Sequence, residues 1–192
     1  MTYSSHSTFE LLSKAEAGDA DAQYRLGLLY RDGGIATEAL KWFRAAADSG
    51  HAEAWLSLGY IHSKGLVVPQ NREEARKCFL AGAERGNAQA QVLIGLSYAN
   101  GPNANYAEAV TWYRLAAEQG EPLAQSYLSM MYEEGRGIEQ DLVQAYKWYS
   151  LSRGHQRLED IAAKMTSAQI AEAKRLASDW KPAAPSPDKP QE

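Results

Sequence analysis

The chain has 192 residues, 45% of them hydrophobic and 23% charged, with 20 Lys and Arg against 24 Asp and Glu for a formal charge of −4. This is the balance of an ordinary soluble globular protein, and it argues against nucleic acid or an anionic membrane surface, both of which need a basic footprint. No apolar run of about 18 residues exists, so membrane insertion is not expected, and the single cysteine, Cys78, excludes an internal disulfide and a cysteine-built zinc site.

Residues 1–8 are expected to be flexible. They carry no Lys or Arg ahead of an apolar stretch, so no secretory signal and a cytoplasmic location are expected. Phe9 to Ala17 then reads as one lone helix. After it the chain repeats itself. Alanines at Ala22, Ala54, Ala90 and Ala124 are followed five residues later by Gly27, Gly59, Gly95 and Ser129. A second alanine stands at Ala39, Ala75, Ala109 and Ala145, and four residues after it comes Phe43, Phe79, Tyr113 or Tyr149. The step from the Gly or Ser to the second alanine varies, at 12, 16, 14 and 16 residues, while the two flanking spacings never change. Rigid pieces joined by an adjustable loop describe a helix–turn–helix repeat, because helices fix side-chain phase and surface loops absorb insertions.

The first helix of each repeat shows helical phase, as in Ala22, Leu26, Leu29 and Tyr30. Gly33-Gly34, Gly65, Gly101 and Gly135 suit left-handed stops after these helices. Small residues at Gly27/Ala39, Gly59/Ala75 and Gly95/Ala109 predict a close crossing of the paired helices. The repeats are expected at about 18–49, 50–85, 86–119 and 120–155. The lone helix matches the second helix of a repeat: Leu11 and Ala15 precede Gly18 as Phe43 and Ala47 precede Gly50. At the far end, Arg157 to Lys164 reads as a shortened first helix. Thr166-Ser167-Ala168-Gln169 is a capping box opening a helix to about Trp180, and 157–180 should cap the stack. The Pro-rich stretch 181–192 is expected to be a disordered tail.

These matching stretches resemble the Sel1-like repeat family, relatives of the tetratricopeptide repeats. The resemblance implies an all-α, right-handed α-solenoid of helix–turn–helix repeats that binds proteins as an adaptor or regulator in bacterial assemblies. It covers about three quarters of the chain. The fourth copy departs from the pattern, with Arg153 where Ala47, Ala83 and Ala117 stand elsewhere. An exported, cysteine-rich branch of the family is linked to β-lactams, and one cysteine argues against that hydrolase reading. An inhibitory binder of one target, such as an immunity or anti-activator protein, is the nearer alternative.

No nucleophile elbow, zinc-protease helix, P-loop or dinucleotide fingerprint is present. Gly135-Arg136-Gly137 reads as a turn. His62 stands where the other copies have Tyr30, Tyr98 and Tyr132, which favours packing over ligation, and His51 reads as a turn or N-cap neighbour. Cys78 occupies the register of Trp42, Trp112 and Trp148 and is expected to be a packed residue and not a nucleophile. No catalytic residue, cofactor or metal is expected.

The best functional inference concerns the first helices, which line the concave face of tetratricopeptide-like stacks. Two columns four residues apart share a face: Tyr24, Leu56, Val92 and Ser126, then Leu28, Tyr60, Leu96 and Met130. Polar residues, among them Arg31, Asn100 and Glu133, should form the rim. The mainly apolar columns suit a groove that takes a peptide. They suit packing between neighbouring helices equally well. The partner is expected to be a protein or peptide, and the free chain a monomer.

Overall fold

The computed structural model describes residues 5–100, 102–152, 154 and 157–183. Every regular element among them is a helix. They form two compact units, divided after Asn87.

The first unit holds α1 (Ser5–Glu16), α2 (Ala20–Asp32), α3 (Ala36–Asp48), α4 (Ala52–Lys64) and α5 (Arg72–Glu84). Consecutive helices pack in pairs, α2 with α3 and α4 with α5. Asp19 caps α2 by accepting from the Ala22 N–H at 2.8 Å, and Asn71 caps α5 by accepting from the Glu74 N–H at 3.0 Å. Each such bond satisfies a donor that the first helical turn would otherwise orphan. The core gathers Ala39, Phe43, Ala46, Ala47, Ala54, Leu58, Ile61 and Cys78. A smaller cluster of Ala15, Ala22 and Leu26 joins α1 to α2.

The second unit holds α6 (Ala88–Ala99), α7 (Tyr106–Glu118), α8 (Pro122–Glu134), α9 (Leu142–Leu151), the short α10 (Leu158–Ala162) and α11 (Ser167–Asp179). Here α6 pairs with α7, and α8 with α9, while α11 covers α9. Tyr113, Leu128, Ala116 and Ala124 centre its core. Ile161 and Ala173 close the end of α9 with Ala145 and Tyr146. The Thr166–Gln169 capping box forms as the sequence indicates.

One backbone bond explains why loops of unequal length leave the repeat intact. The residue that opens each second helix donates its N–H to the carbonyl at the tyrosine register of the first. Ile35 donates to Tyr30, Asn71 to His62 and Asn105 to Tyr98, each at 2.9 Å, and Asp141 to Tyr132 at 3.0 Å. In the two longer loops a glutamine satisfies a further carbonyl of the helix end: Gln70 donates to Ser63 and Gln140 to Glu133, both at 2.8 Å.

The small-residue crossing has a different partner from the one the spacing suggests. A Cβ added at Gly27 would lie 2.6 Å from the Phe43 ring, and one at Gly95 would lie 2.5 Å from the Tyr113 ring; Gly59 stands in the same relation to Phe79. The glycine is a notch for the aromatic ring of the second helix, more than a close approach to its alanine. In the fourth copy Ser129 fills the notch and its Oγ donates to the Ala145 carbonyl at 2.7 Å. There the Tyr149 ring lies against Gly154.

Some boundaries differ from the sequence reading. The first helix begins at Ser5, not Phe9. Gly33 ends α2 in a right-handed conformation, and Gly34 takes the left-handed one. Residues 1–4, Gly101, Arg153 and the tail from residue 184 lie outside the described residues. Lys181 to Ala183 do not trail away from the fold. The Ala183 N–H donates to the Glu118 carbonyl at 2.7 Å, so the chain returns to the C-terminal end of α7. Trp180 meets Trp148 edge-on at 6.2 Å and lies over Gly120. A chain ending at Asp179 should therefore melt several degrees below one ending at Ala183, since ~1 kcal/mol is about 2–4 °C at this size. Thermal unfolding followed by circular dichroism checks this; equal melting temperatures would show that the returning segment contributes nothing.

Candidate functional site

The two columns do not behave alike. In the first unit Leu56 is buried at 8% exposure, and Tyr24 is half-buried between its neighbours. The Tyr24 ring stacks on His51 at 4.3 Å and tilts against Phe43 at 5.7 Å. In the second unit Val92 is a core residue packed with Ala109 and Tyr113. Of the two readings of this column, Leu56 and Val92 fit packing. The reason is helical phase: four residues turn about 400°, so a second residue four on sits rotated by about 40°. That rotation is enough to bury Leu56 and Val92 and leave Tyr60 outside.

The second column is less deeply buried. Tyr60 is 43% exposed and meets Phe79 edge-on at 5.4 Å, so its ring is held in place while one side faces solvent. Leu28, Leu96 and Met130 are half-buried, each resting on the core of its own unit. Arg31 is exposed and pairs with Asp32 at 2.8 Å. Asn100 is exposed but committed, its amide donating to the Leu96 carbonyl at 2.9 Å as a helix-end cap.

Glu133 is not a rim residue. It is 8% exposed, and its carboxylate accepts from Arg157 Nη2 at 2.6 Å and Lys164 Nζ at 2.8 Å. The residue fastens α8 to the segment around α10. Its charge hides its role in the sequence, because the two bases that neutralise it stand 24 and 31 residues away.

Among the exposed apolar residues outside the columns, Leu123 lies on a first helix. Leu123, 59% exposed, opens α8 in the register that holds Asp21, Glu53 and Gln89 in the other copies. A leucine in a polar column was the available signal. With Tyr127 and Met130 it forms an i, i+4, i+7 strip along one face of α8. The Tyr127 ring is fixed by stacking on Tyr113 at 5.0 Å.

Cys78 is buried, and burial followed by the neighbouring Glu74 carboxylate pushes its thiol up to about 11. Burial likewise raises the Tyr113 phenol. Among the described residues no three of His, Cys, Asp and Glu come together as metal ligands would. A raised thiol pKa stabilises the fold below the unfolded value near 9, and that contribution fades as pH rises toward 11. The melting-temperature advantage of the wild type over Cys78→Ala should thus shrink between about pH 9 and 10.5. An advantage that grows over this range would contradict the burial of the thiol.

The repeat geometry coincides with a known family. The Sel1 repeat matches residues 20–51, 52–87, 88–121 and 122–152. The chain is a Sel1-repeat protein. A Sel1-repeat protein from Oxalobacter formigenes is 28% identical in its solved structure, which superposes with a TM-score of 0.71 over 90% of this chain and 78% of that one. The protective antigen c5321 of uropathogenic Escherichia coli, which displays the same repeat fold, is 26% identical with a TM-score of 0.53. The alignment covers 89% of this Sel1-repeat chain and 47% of c5321, about half its length. Proteins of the family are generally non-catalytic scaffolds for protein interaction. Among the described residues no helix is long and apolar enough to cross a membrane.

Proposed function

We propose that this Sel1-repeat protein is a non-catalytic adaptor or regulator that holds a protein or peptide on the outward face of its first helices. The observation that carries the reading is the pairing of exposure with rigidity at Tyr60. An aromatic ring already fixed by Phe79 loses little conformational entropy on binding, which is what makes such residues effective anchors. In the second unit the Leu123, Tyr127 and Met130 strip on α8, together with Leu96 on α6, offers apolar contact of the same kind. Arg31 in the first unit supplies a charged edge that can set register without much affinity of its own. Leu56, Val92 and Glu133 are left out of the surface, because each is buried in packing of its own unit.

The test is affinity capture from native lysate with the wild type beside Tyr60→Glu and Met130→Glu variants, each first shown by circular dichroism to be folded. Loss of the captured protein in both folded variants supports the reading. Retention of the same protein by both would place the contact on the second helices or on the terminal segments.

A further inference from the structure

The helices α1, α3 and α7 end in one kind of turn, with Gly18, Gly50 and Gly120 at φ of 92°, 93° and 91°. In the second unit that turn holds an extended segment of the chain itself, residues 180–183. Glu118 closes α7, and its carbonyl accepts the Ala183 N–H at 2.7 Å. A Cβ added at Gly120 would meet the Trp180 ring at 3.6 Å and Pro182 at 3.8 Å. The Trp180 ring stands edge-on to Trp148, which also carries the Lys147 ammonium 4.3 Å from its ring centroid. Trp180 is extended, at φ −69° and ψ 140°, and Pro182 keeps Lys181 out of the helical region.

The first unit repeats this site. Glu16 closes α1 two residues before Gly18, as Glu118 closes α7 two before Gly120, so its carbonyl likewise has no intrahelical donor. Trp42 follows Lys41 in α3 as Trp148 follows Lys147 in α9, and the Lys41 ammonium lies 5.6 Å from the Trp42 ring centroid. Trp42 packs on Ala15, Ala22 and Leu26, and Trp148 shares a cluster with Ala117, Ala124 and Leu128 at the same three registers. Nothing lies within 4 Å of a Cβ added at Gly18. Trp42 is half-buried, whereas Trp148 beside Trp180 is 5% exposed. Gly50, in the middle of the unit, is as open as Gly18, so the openness belongs to the turn and not to the end of the chain. The Gly50 turn has no ring, because buried Cys78 stands at the tryptophan register.

We propose that the Gly18 turn and Trp42 bind an extended segment of a partner protein in which an aromatic residue stands two before a proline. Trp42 takes the ring, Gly18 the proline, and the Glu16 carbonyl the N–H that follows. The chemistry is that of Trp180-Lys181-Pro182-Ala183, the segment seated on the repeat-equivalent turn. Such a segment is extended before it binds, which limits its entropy loss. A second copy is the poorer occupant, because its own Trp180 and Ala183 are held in cis, where a short tether gives an effective concentration on the order of millimolar. The site lies on α1 and α3, apart from the surface of the first helices.

The probe is a synthetic peptide with the sequence of residues 178–183, acetylated and amidated, titrated into the isotope-labelled full chain and followed by NMR. Saturable shifts should appear at residues 16–19 and at the Trp42 indole. Trp180→Ala in the peptide should weaken binding at least about tenfold, the effect of losing a central anchor. Trp42→Cys in the protein, which places there the residue that α5 accepts at this register, should do the same. The peptide variant leaves the protein untouched, so the test survives if Trp42→Cys does not fold. Three results would overturn the proposal: no saturable shifts at millimolar peptide, equal binding of a scrambled peptide, or shifts confined to residues 119–121 and Trp148, where the peptide only displaces the chain's own segment. A dimer in sedimentation equilibrium that Trp180→Ala in the protein dissolves would also overturn it, by making a second copy the occupant.

Discussion

Replacing Arg157 and Lys164 together by alanine should destabilise the protein by about 3–5 kcal/mol, the cost of leaving a buried charge without its partners. The carboxylate of Glu133 stays in place in that variant, 8% exposed, having lost donors at 2.6 and 2.8 Å. The effect is asymmetric. Glu133→Gln in the wild type releases two bases that are themselves partly exposed, so water can hydrate them and the loss should be smaller. Adding Glu133→Gln to the double alanine variant should recover most of the loss, because the amide carries no charge to strand. Urea unfolding of the four proteins completes the cycle. Equal destabilisation by Glu133→Gln and by the double alanine variant, with no recovery in the triple, would mean that the cluster is not an ion-pair anchor.

The second large effect is expected at Leu58. This side chain is 3% exposed and packs in the first unit among Ala54, Ile61 and Cys78. Leu58→Ala removes its methyl groups and leaves a cavity, so a cost of about 2–5 kcal/mol follows. Tyr60→Ala, two residues on, should cost much less, because the Tyr60 ring is 43% exposed. The two variants thus separate stability from binding on a single turn of α4. A change under about 0.5 kcal/mol for Leu58→Ala would place it off the core and undo the register of the repeat.

The repeat was legible because its signals are local and recur. An alanine and a glycine five apart, and an alanine and an aromatic four apart, state which helix faces meet. The Thr166–Gln169 capping box needed only four consecutive residues. Long-range pairings were not legible. Nothing near Glu133 in sequence announces Arg157 or Lys164, and an acidic residue late in a helix reads as solvated by default. Ala183 was obscured in another way. Proline-rich composition describes the tail as a whole, whereas a single backbone N–H on the Glu118 carbonyl decides where Ala183 sits. Within the columns, the phase that buries Leu56 and Val92 while leaving Tyr60 outside needed the second helices in position.

The central claim is that partner contact falls on the first helix of each repeat. Hydrogen–deuterium exchange of the chain, free and with a captured partner bound, tests this most directly. The account predicts new protection on the outward turns of α2, α4, α6 and α8, centred on Tyr60 in the first unit and on Leu123 to Met130 in the second. Protection confined to α3, α5, α7 and α9, with the first helices exchanging as in the free protein, would contradict it.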